Sequence, residues 1–229
     1  MKKIFFFFFF FFSFFCFSQT SGLAYYGIQL PEYKDKDGKN DDVLYEAKKI
    51  AESHNFILEF NETQSHFYLS NEMENEGTNV LINGVANIIS GYENYYDKGK
   101  QLSINKQVDG ILLKDKNAVK SWTITNETKV IDNYLCYKAE YIKKYQGYNG
   151  QMSKTIIAWF APSLPFPFGP NSYNGLPGLV LELTETGKKN KTYFLKKIEL
   201  KKQNILIKFP EGKVLTEEEF MKNSTYIPK

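Results

Sequence analysis

Cys136 is the one thiol of this chain that lies outside its N-terminal leader, and a thiolate is a strong nucleophile. Thiol catalysis needs a base, and only two histidines, His54 and His66, are present. His54 falls near the end of an early helical stretch and His66 in an early hairpin, and neither carries a local catalytic signature. Cys136 itself sits between Leu135 and Tyr137 in a strand-like run, where a free cysteine behaves as a small apolar residue. The two histidines lack metal-ligand spacing to each other or to Cys136. Glu72, Glu74 and Glu76 followed by Gly77 echo the first half of a calcium loop. Glu replaces the short Asp and Asn ligands there, however, and Asn83 stands where the bidentate glutamate belongs. No paired carboxylates stand out for acid–base work. The reading is of no catalytic residues, no metal and no cofactor.

Aromatic residues are the stronger signal. Trp122, Trp159, Phe160, Phe166 and Phe168 are candidates to line an apolar ligand pocket, and they are equally the residues a core would use. Between Pro162 and Pro170 a proline recurs at every second or third position, fixing φ and removing backbone donors. That stretch is expected to be extended, polyproline-like and laid across a surface, presenting Leu164, Phe166 and Phe168. It would serve either as an arm covering or plugging the sheet, or as a lip over an apolar cavity. Next comes Gly175-Leu176-Pro177-Gly178-Leu179, which lacks the Gly-Lys-Ser/Thr ending of a phosphate loop and runs into a strand rather than a helix. The expectation is a structural turn over Leu176, Pro177, Gly178 and Leu179, with Pro177 at i+1 and Gly178 supplying the positive φ of type II geometry.

The elements that must position these residues are mostly strands. Thr20 to Gln29 reads as a first strand. Asp41 and Asp42 can cap a helix over Val43 to Ser53, whose Val43, Leu44, Ala47, Ile50 and Ala51 share one face. Hairpins are expected at Phe56–Phe60 with Gln64–Leu69, and at Tyr95–Asp97 with Gln101–Asn105. Short strands follow at Ile111–Leu113, Ser121–Ile124 and Thr128–Ile131. Tyr134–Ile142 can pair with Lys154–Phe160, and Leu179–Thr184 with Tyr193–Leu200. Glu32–Asp42 and Asn71–Thr78 read as charged connections. Thr216 followed by Glu219 is a capping-box pattern, which predicts a short helix from Glu217 to about Met221.

The leader has a positive Met1-Lys2-Lys3, an apolar run from Ile4 to Phe15, and small residues at Cys16 and Ser18 for signal peptidase. The apolar run falls short of the roughly 20 residues a membrane span needs. A lipoprotein reading would acylate Cys16 but meets Phe15 where a small residue is required. Cleavage after Ser18 leaves residues 19–229 as one domain with a single cysteine, so no internal disulfide can form. The full chain carries a formal charge of +3, of which the leader takes Lys2 and Lys3, and no nucleic-acid footprint remains. All 29 basic residues are Lys. Without Arg, bidentate capture of phosphate or carboxylate by a guanidinium fork is not available.

Trp122, the Thr128–Ile131 run, Tyr134 with Cys136 and Ala139, Ala158-Trp159-Phe160, Gly169-Pro170 and Gly175–Leu179 together resemble the GLPGLI family of exported Bacteroidota proteins, with Val180 where the motif has Ile. The resemblance covers about Trp122 to Leu183. It implies a periplasmic or secreted protein of unassigned activity, and a fold similar to lipoprotein-carrier half-barrels. The expected fold is therefore α+β but mainly β: a curved, half-barrel-like antiparallel sheet with one N-terminal helix and a short C-terminal helix. The expected function is an exported, non-enzymatic envelope protein binding an apolar ligand such as an acyl chain or lipidated peptide. The alternatives are a module docking on an envelope protein through the Pro/Phe arm, and a hydrolase using Cys136.

Overall fold

Short runs of alternating apolar and polar residues leave each strand one face to bury, so twelve of them must share a sheet. The computed structural model describes residues 20–32, 42–70, 80–91, 93–107, 109–147, 150–187 and 190–223. Along the chain its elements are β1 (Ser21–Gln29), α1 (Asp42–Ser53), β2 (Phe56–Asn61), β3 (Gln64–Leu69), α2 (Val80–Ser90), β4 (Glu93–Asp97), β5 (Leu102–Lys106), β6 (Leu112–Lys114), β7 (Thr123–Ile131), β8 (Tyr134–Gly147), β9 (Gly150–Ala161), β10 (Leu179–Glu185), β11 (Lys191–Lys201), β12 (Val214–Leu215) and α3 (Glu217–Asn223). The strands form one open sheet in the order β12-β6-β5-β4-β3-β2-β1-β11-β10-β9-β8-β7. The mainly β, open-sheet fold expected from the sequence is what is found.

Three details depart from expectation. The β12–β6 pair is parallel, so the sheet is mixed rather than wholly antiparallel. Ser121–Ile124 and Thr128–Ile131 belong to one strand, β7, with a register shift between Ile124 and Thr128. A second early helix, α2, accompanies α1. Its sequence, VLINGVANIIS, is rich in β-branched residues and carries no charge, so its local preference points away from helix. Tertiary packing overrides that preference. Ile82, Val85, Ala86 and Ile89 fall at helical spacing and meet the core, while Leu81 and Ile88 stay exposed.

The expected N-terminal leader and most of the two charged connections lie outside the described residues, as do the three glutamates of the calcium-loop echo. Among the described residues no helix is long and apolar enough to cross a membrane.

One face of the sheet forms the main core. Tyr26, Leu58, Phe60, Phe67, Ile156, Leu183 and Tyr193 are fully or almost fully buried on it. Curvature brings non-neighbouring strands together across this face. The Tyr26 hydroxyl of β1 donates to the Val180 carbonyl of β10 at 2.6 Å, although β11 lies between the two strands. A smaller cluster covers the opposite face, where Ile205, Ile207 and Phe209 from the C-terminal segment pack toward Tyr95, Ile104 and Leu112.

The proline-rich segment runs at the surface with Pro162, Ser163 and Pro165 exposed, but it turns its apolar side chains inward. Leu164, Phe166 and Phe168 are 4%, 5% and 0% exposed. Its backbone is not polyproline II, because Phe166 N donates to Leu164 O at 2.7 Å and Phe168 N to Phe166 O at 2.8 Å. Those are successive three-residue turns centred on Pro165 and Pro167, whose fixed φ lies close to the inverse γ-turn value. The next backbone groups pair with the start of β10: Leu179 N donates to Leu164 O at 2.9 Å and Val180 N to Phe168 O at 3.0 Å. The segment is therefore an inward plug, with Phe166 and Phe168 at 4.6 and 6.4 Å from the Phe60 ring.

The type II turn also needs correction. Gly178 is not among the residues with positive φ, whereas Gly175 is, at 101°. A Cβ on Gly178 would collide with the backbone of Ala161 and Pro162. Glycine is required there for close approach of two segments of the chain rather than for conformational freedom.

Candidate functional site

Alternation along β9 places Trp159 and Phe160 on opposite faces, so they cannot line one pocket. Phe160 faces inward against Tyr137, with ring centroids 6.2 Å apart. Trp159 lies on the other face, where the Lys129 ammonium stands 4.5 Å from its ring. Trp122 is elsewhere again: it packs on Tyr141 and Tyr173 and donates its indole N–H to the Asn174 carbonyl at 3.0 Å. Phe166 and Phe168 form the plug already described. The five aromatics thus occupy distinct positions around and within the core.

Cys136 is fully buried, and burial pushes its thiol up to about 11. A thiol held in that range is protonated at neutral pH and a poor nucleophile. His66 is on β3, with five strands between it and Cys136's strand β8. His54 packs edge-on to Phe56 of β2. The thiol reading is left without a thiolate or an adjacent base.

His66 has a different environment. It is stacked between Tyr68 and Tyr95, at 4.4 and 4.1 Å, and shares a 2.7 Å hydrogen bond with Glu93. The Tyr95 hydroxyl donates to the same carboxylate at 2.5 Å, and Lys106 pairs with it at 2.9 Å. These bonds, His66 first, outweigh the opposing effect of burial and hold the Glu93 carboxyl down at about 2. A depressed carboxylate stabilises the fold above its unfolded pKa of about 4.5, and that contribution disappears as pH falls toward 2. Glu93→Gln is expected to cost about 1–2 kcal/mol at pH 7, allowing for solvent screening, and almost nothing near pH 2. Urea midpoints for both proteins across that range measure it. Both Glu93 oxygens are engaged within this network, Oε1 by His66 and Tyr95 and Oε2 by Lys106.

A cluster that sequence reading missed lies where β8, β9, β10 and β11 leave the core. On each strand the residue two positions beyond a core-facing side chain is charged: Lys143 after Tyr141, Lys154 before Ile156, Glu185 after Leu183 and Lys191 before Tyr193. The register brings them together on one face, Lys143 opposite Lys154 and Glu185 opposite Lys191. Alternation was visible in the sequence, but the alignment of four strands was not.

Lys154 makes an ion pair with Glu185, which also accepts a hydrogen bond from Asn171 Nδ2 at 2.9 Å. Burial alone would raise the Glu185 carboxyl, but Lys154, Lys191 and Lys143 together bring it below its usual range. Lys191 donates to the Ile89 carbonyl of α2 at 2.8 Å. Burial, aided by repulsion from Lys154 and Lys143, lowers its pKa to about 8 against the opposing pull of Glu185. Close by, Tyr173 is 1% exposed and its hydroxyl finds no hydrogen-bond partner among the described residues.

Three members of the row, Lys154, Glu185 and Lys191, form the floor of a cleft of about 620 Å³, while Lys143 is exposed and lies outside it. Its walls are apolar: Leu30 and Pro31 after β1, Ile89 of α2, and Tyr145 and Met152 at the end of the β8–β9 hairpin. A cavity of that size, mostly apolar with a few converging polar groups, has the build of a small-molecule site. None of the five predicted aromatics lines it.

Comparisons with known proteins fit the fold and leave the chemistry open. Residues 148–182 match the model of a family described as "Protein of unknown function (Porph_ging)", the GLPGLI-type family that the sequence motifs resemble. The match is partial. No curated protein matches the chain. Among solved structures, "Structure of PNGF-II in C2 space group" is similar at 13% identity and a TM-score of 0.52, covering 88% of this chain and 32% of that one. "Structure of PNGF-II in P21 space group" gives 15% identity and a TM-score of 0.51, covering 89% and 32%. This chain spans about a third of the length of those structures, and at such identities the likeness is one of fold. "Crystal structure of LprF from Mycobacterium bovis" overlaps at a TM-score of 0.32 and 10% identity, over 83% of this chain and 89% of that one.

Proposed function

We propose that this GLPGLI-type chain is exported to the periplasm or beyond by the leader at residues 1–18, and that residues 19–229 act there as one domain. It binds a ligand rather than catalysing a reaction. The ligand is apolar, an acyl chain or lipidated peptide, and its chain lies in the cleft between Leu30, Pro31, Ile89, Tyr145 and Met152. The observation that carries this reading is the cleft itself: apolar walls opening from the end of the core, in a protein whose one buried thiol is held protonated. The aromatic set first suggested for ligand binding does not line this cleft. The docking alternative loses its anchors, since Phe166 and Phe168 face inward.

Native mass spectrometry with solvent extraction, on protein purified from its own periplasm, tests the proposal. A co-purifying acyl species near one equivalent is the expected result. A clean apo mass, together with no uptake of added medium-chain amphiphiles, would overturn it.

A further inference from the structure

The open sheet curls until its two ends share a second cleft, also of about 620 Å³. Asn105, Leu113 and Lys114 reach it from β5 and β6, and Tyr141, Lys143 and Lys144 from β8, although eight strands separate β6 from β8 along the sheet. Tyr145 lines both this cleft and the apolar one, but the two have different chemistry. We propose that the seam binds a phosphomonoester, its dianionic head held between lysines of the two sheet ends. The site does not depend on the apolar cleft.

Five lysines line the seam: Lys114, Lys116, Lys120, Lys143 and Lys144. Lys116 pairs with Glu218 at 2.7 Å and Lys120 with Asp115 at 2.6 Å. Glu217 lines the cleft as well and acts on Lys116. Lys114, Lys143 and Lys144 form no ion pair among the described residues. Five ammonium groups therefore meet three carboxylates, an excess of two positive charges. Burial lowers the Lys120 pKa against the pull of Asp115, and repulsion from Lys143 adds to that, so the lysines of the two banks feel one another. A concave site lined by one sign of charge focuses that field on a ligand.

A phosphomonoester fits this excess. It carries nearly two negative charges at neutral pH, spread over three acceptor oxygens, one for each unmatched ammonium. The chain has no Arg, and lysine takes phosphate as a point charge without a guanidinium fork. The cleft is larger than a phosphate group, which leaves room beside Tyr141 and Tyr145 for the group it is esterified to.

Calorimetric titration of the protein with methyl phosphate and methyl sulfate tests this, because the two ions have nearly one shape and differ by one charge. At about pH 8 and low salt, methyl phosphate should bind at least about ten-fold tighter. Lys114→Met on one bank and Lys143→Met on the other should each weaken it about three-fold or more, while Lys208→Met, exposed and outside the cleft, leaves it unchanged. Vesicles of phosphatidylcholine containing one-fifth phosphatidate identify the source. Vesicle binding that methyl phosphate displaces points to a lipid headgroup, and its absence to a soluble phosphomonoester. Equal affinity for the two ions overturns the dianion match. Binding that survives the variants on both banks puts the ion elsewhere and overturns the seam site. No binding of methyl phosphate, by protein that still takes up amphiphiles, overturns the proposal and leaves the apolar cleft standing.

Discussion

Gly178→Ala is expected to destabilise the domain by about 3 kcal/mol or more, a large effect for the addition of one methyl group. A Cβ at this position would stand 2.7 Å from the Ala161 carbonyl carbon and 3.0 Å from Pro162 N. Both obstacles are backbone atoms at the end of β9, so no rotamer change relieves the contact. Gly178→Asn separates this cause from a turn requirement. Asn tolerates positive φ and would be nearly neutral if Gly178 served a type II turn. Because close approach is the cause, Asn should be as damaging as Ala. Urea unfolding midpoints of the two variants decide it, and a spared Asn variant would restore the turn explanation.

Phe168→Ala is expected to cost about 3–5 kcal/mol, as for other fully buried aromatic side chains cut back to Ala. The Phe168 ring is 0% exposed and lies 6.4 Å from Phe60 and 6.0 Å from Tyr96, at the junction of the proline-rich plug with β2 and β4. Phe194→Ala, on a side chain 37% exposed, serves as the control and should cost well under that. A ring lining a ligand cavity behaves differently, because its removal enlarges a space that is already open and mainly weakens binding. Equal stability losses at Phe168 and Phe194 would therefore contradict the plug and revive Phe168 as a ligand contact.

These two positions also mark where sequence reading stops. Proline spacing announced an irregular segment carrying Leu164, Phe166 and Phe168, but not which side of the sheet it would take. Glycine at 178 was recognised as structural, while its reason, the approach of β9, involves residues far from it along the chain. The five aromatic candidates were sound as apolar residues and misleading as a group, because neighbours such as Trp159 and Phe160 necessarily face opposite ways.

What the sequence determined by itself is local. The capping box at Thr216 and Glu219 forms as its residues dictate, with Glu219 N donating to Thr216 Oγ1 at 3.2 Å and Thr216 N to Glu219 Oε2 at 2.7 Å. The α1 face with Ala47 and Ala51, and the hairpins β2–β3 and β8–β9, follow from spacings of a few residues in the same way. Tertiary structure alone decided the rest. Val80–Ser90 is a helix because the core accepts its apolar face, against its local preference. β1 lies mid-sheet because it pairs with β11, from the far end of the chain. The lysine row around Glu185 exists only once four strands are in register. Local choices need only neighbouring residues, whereas registers between distant strands are set by the fit of the whole buried face, and the candidate site is built from those registers.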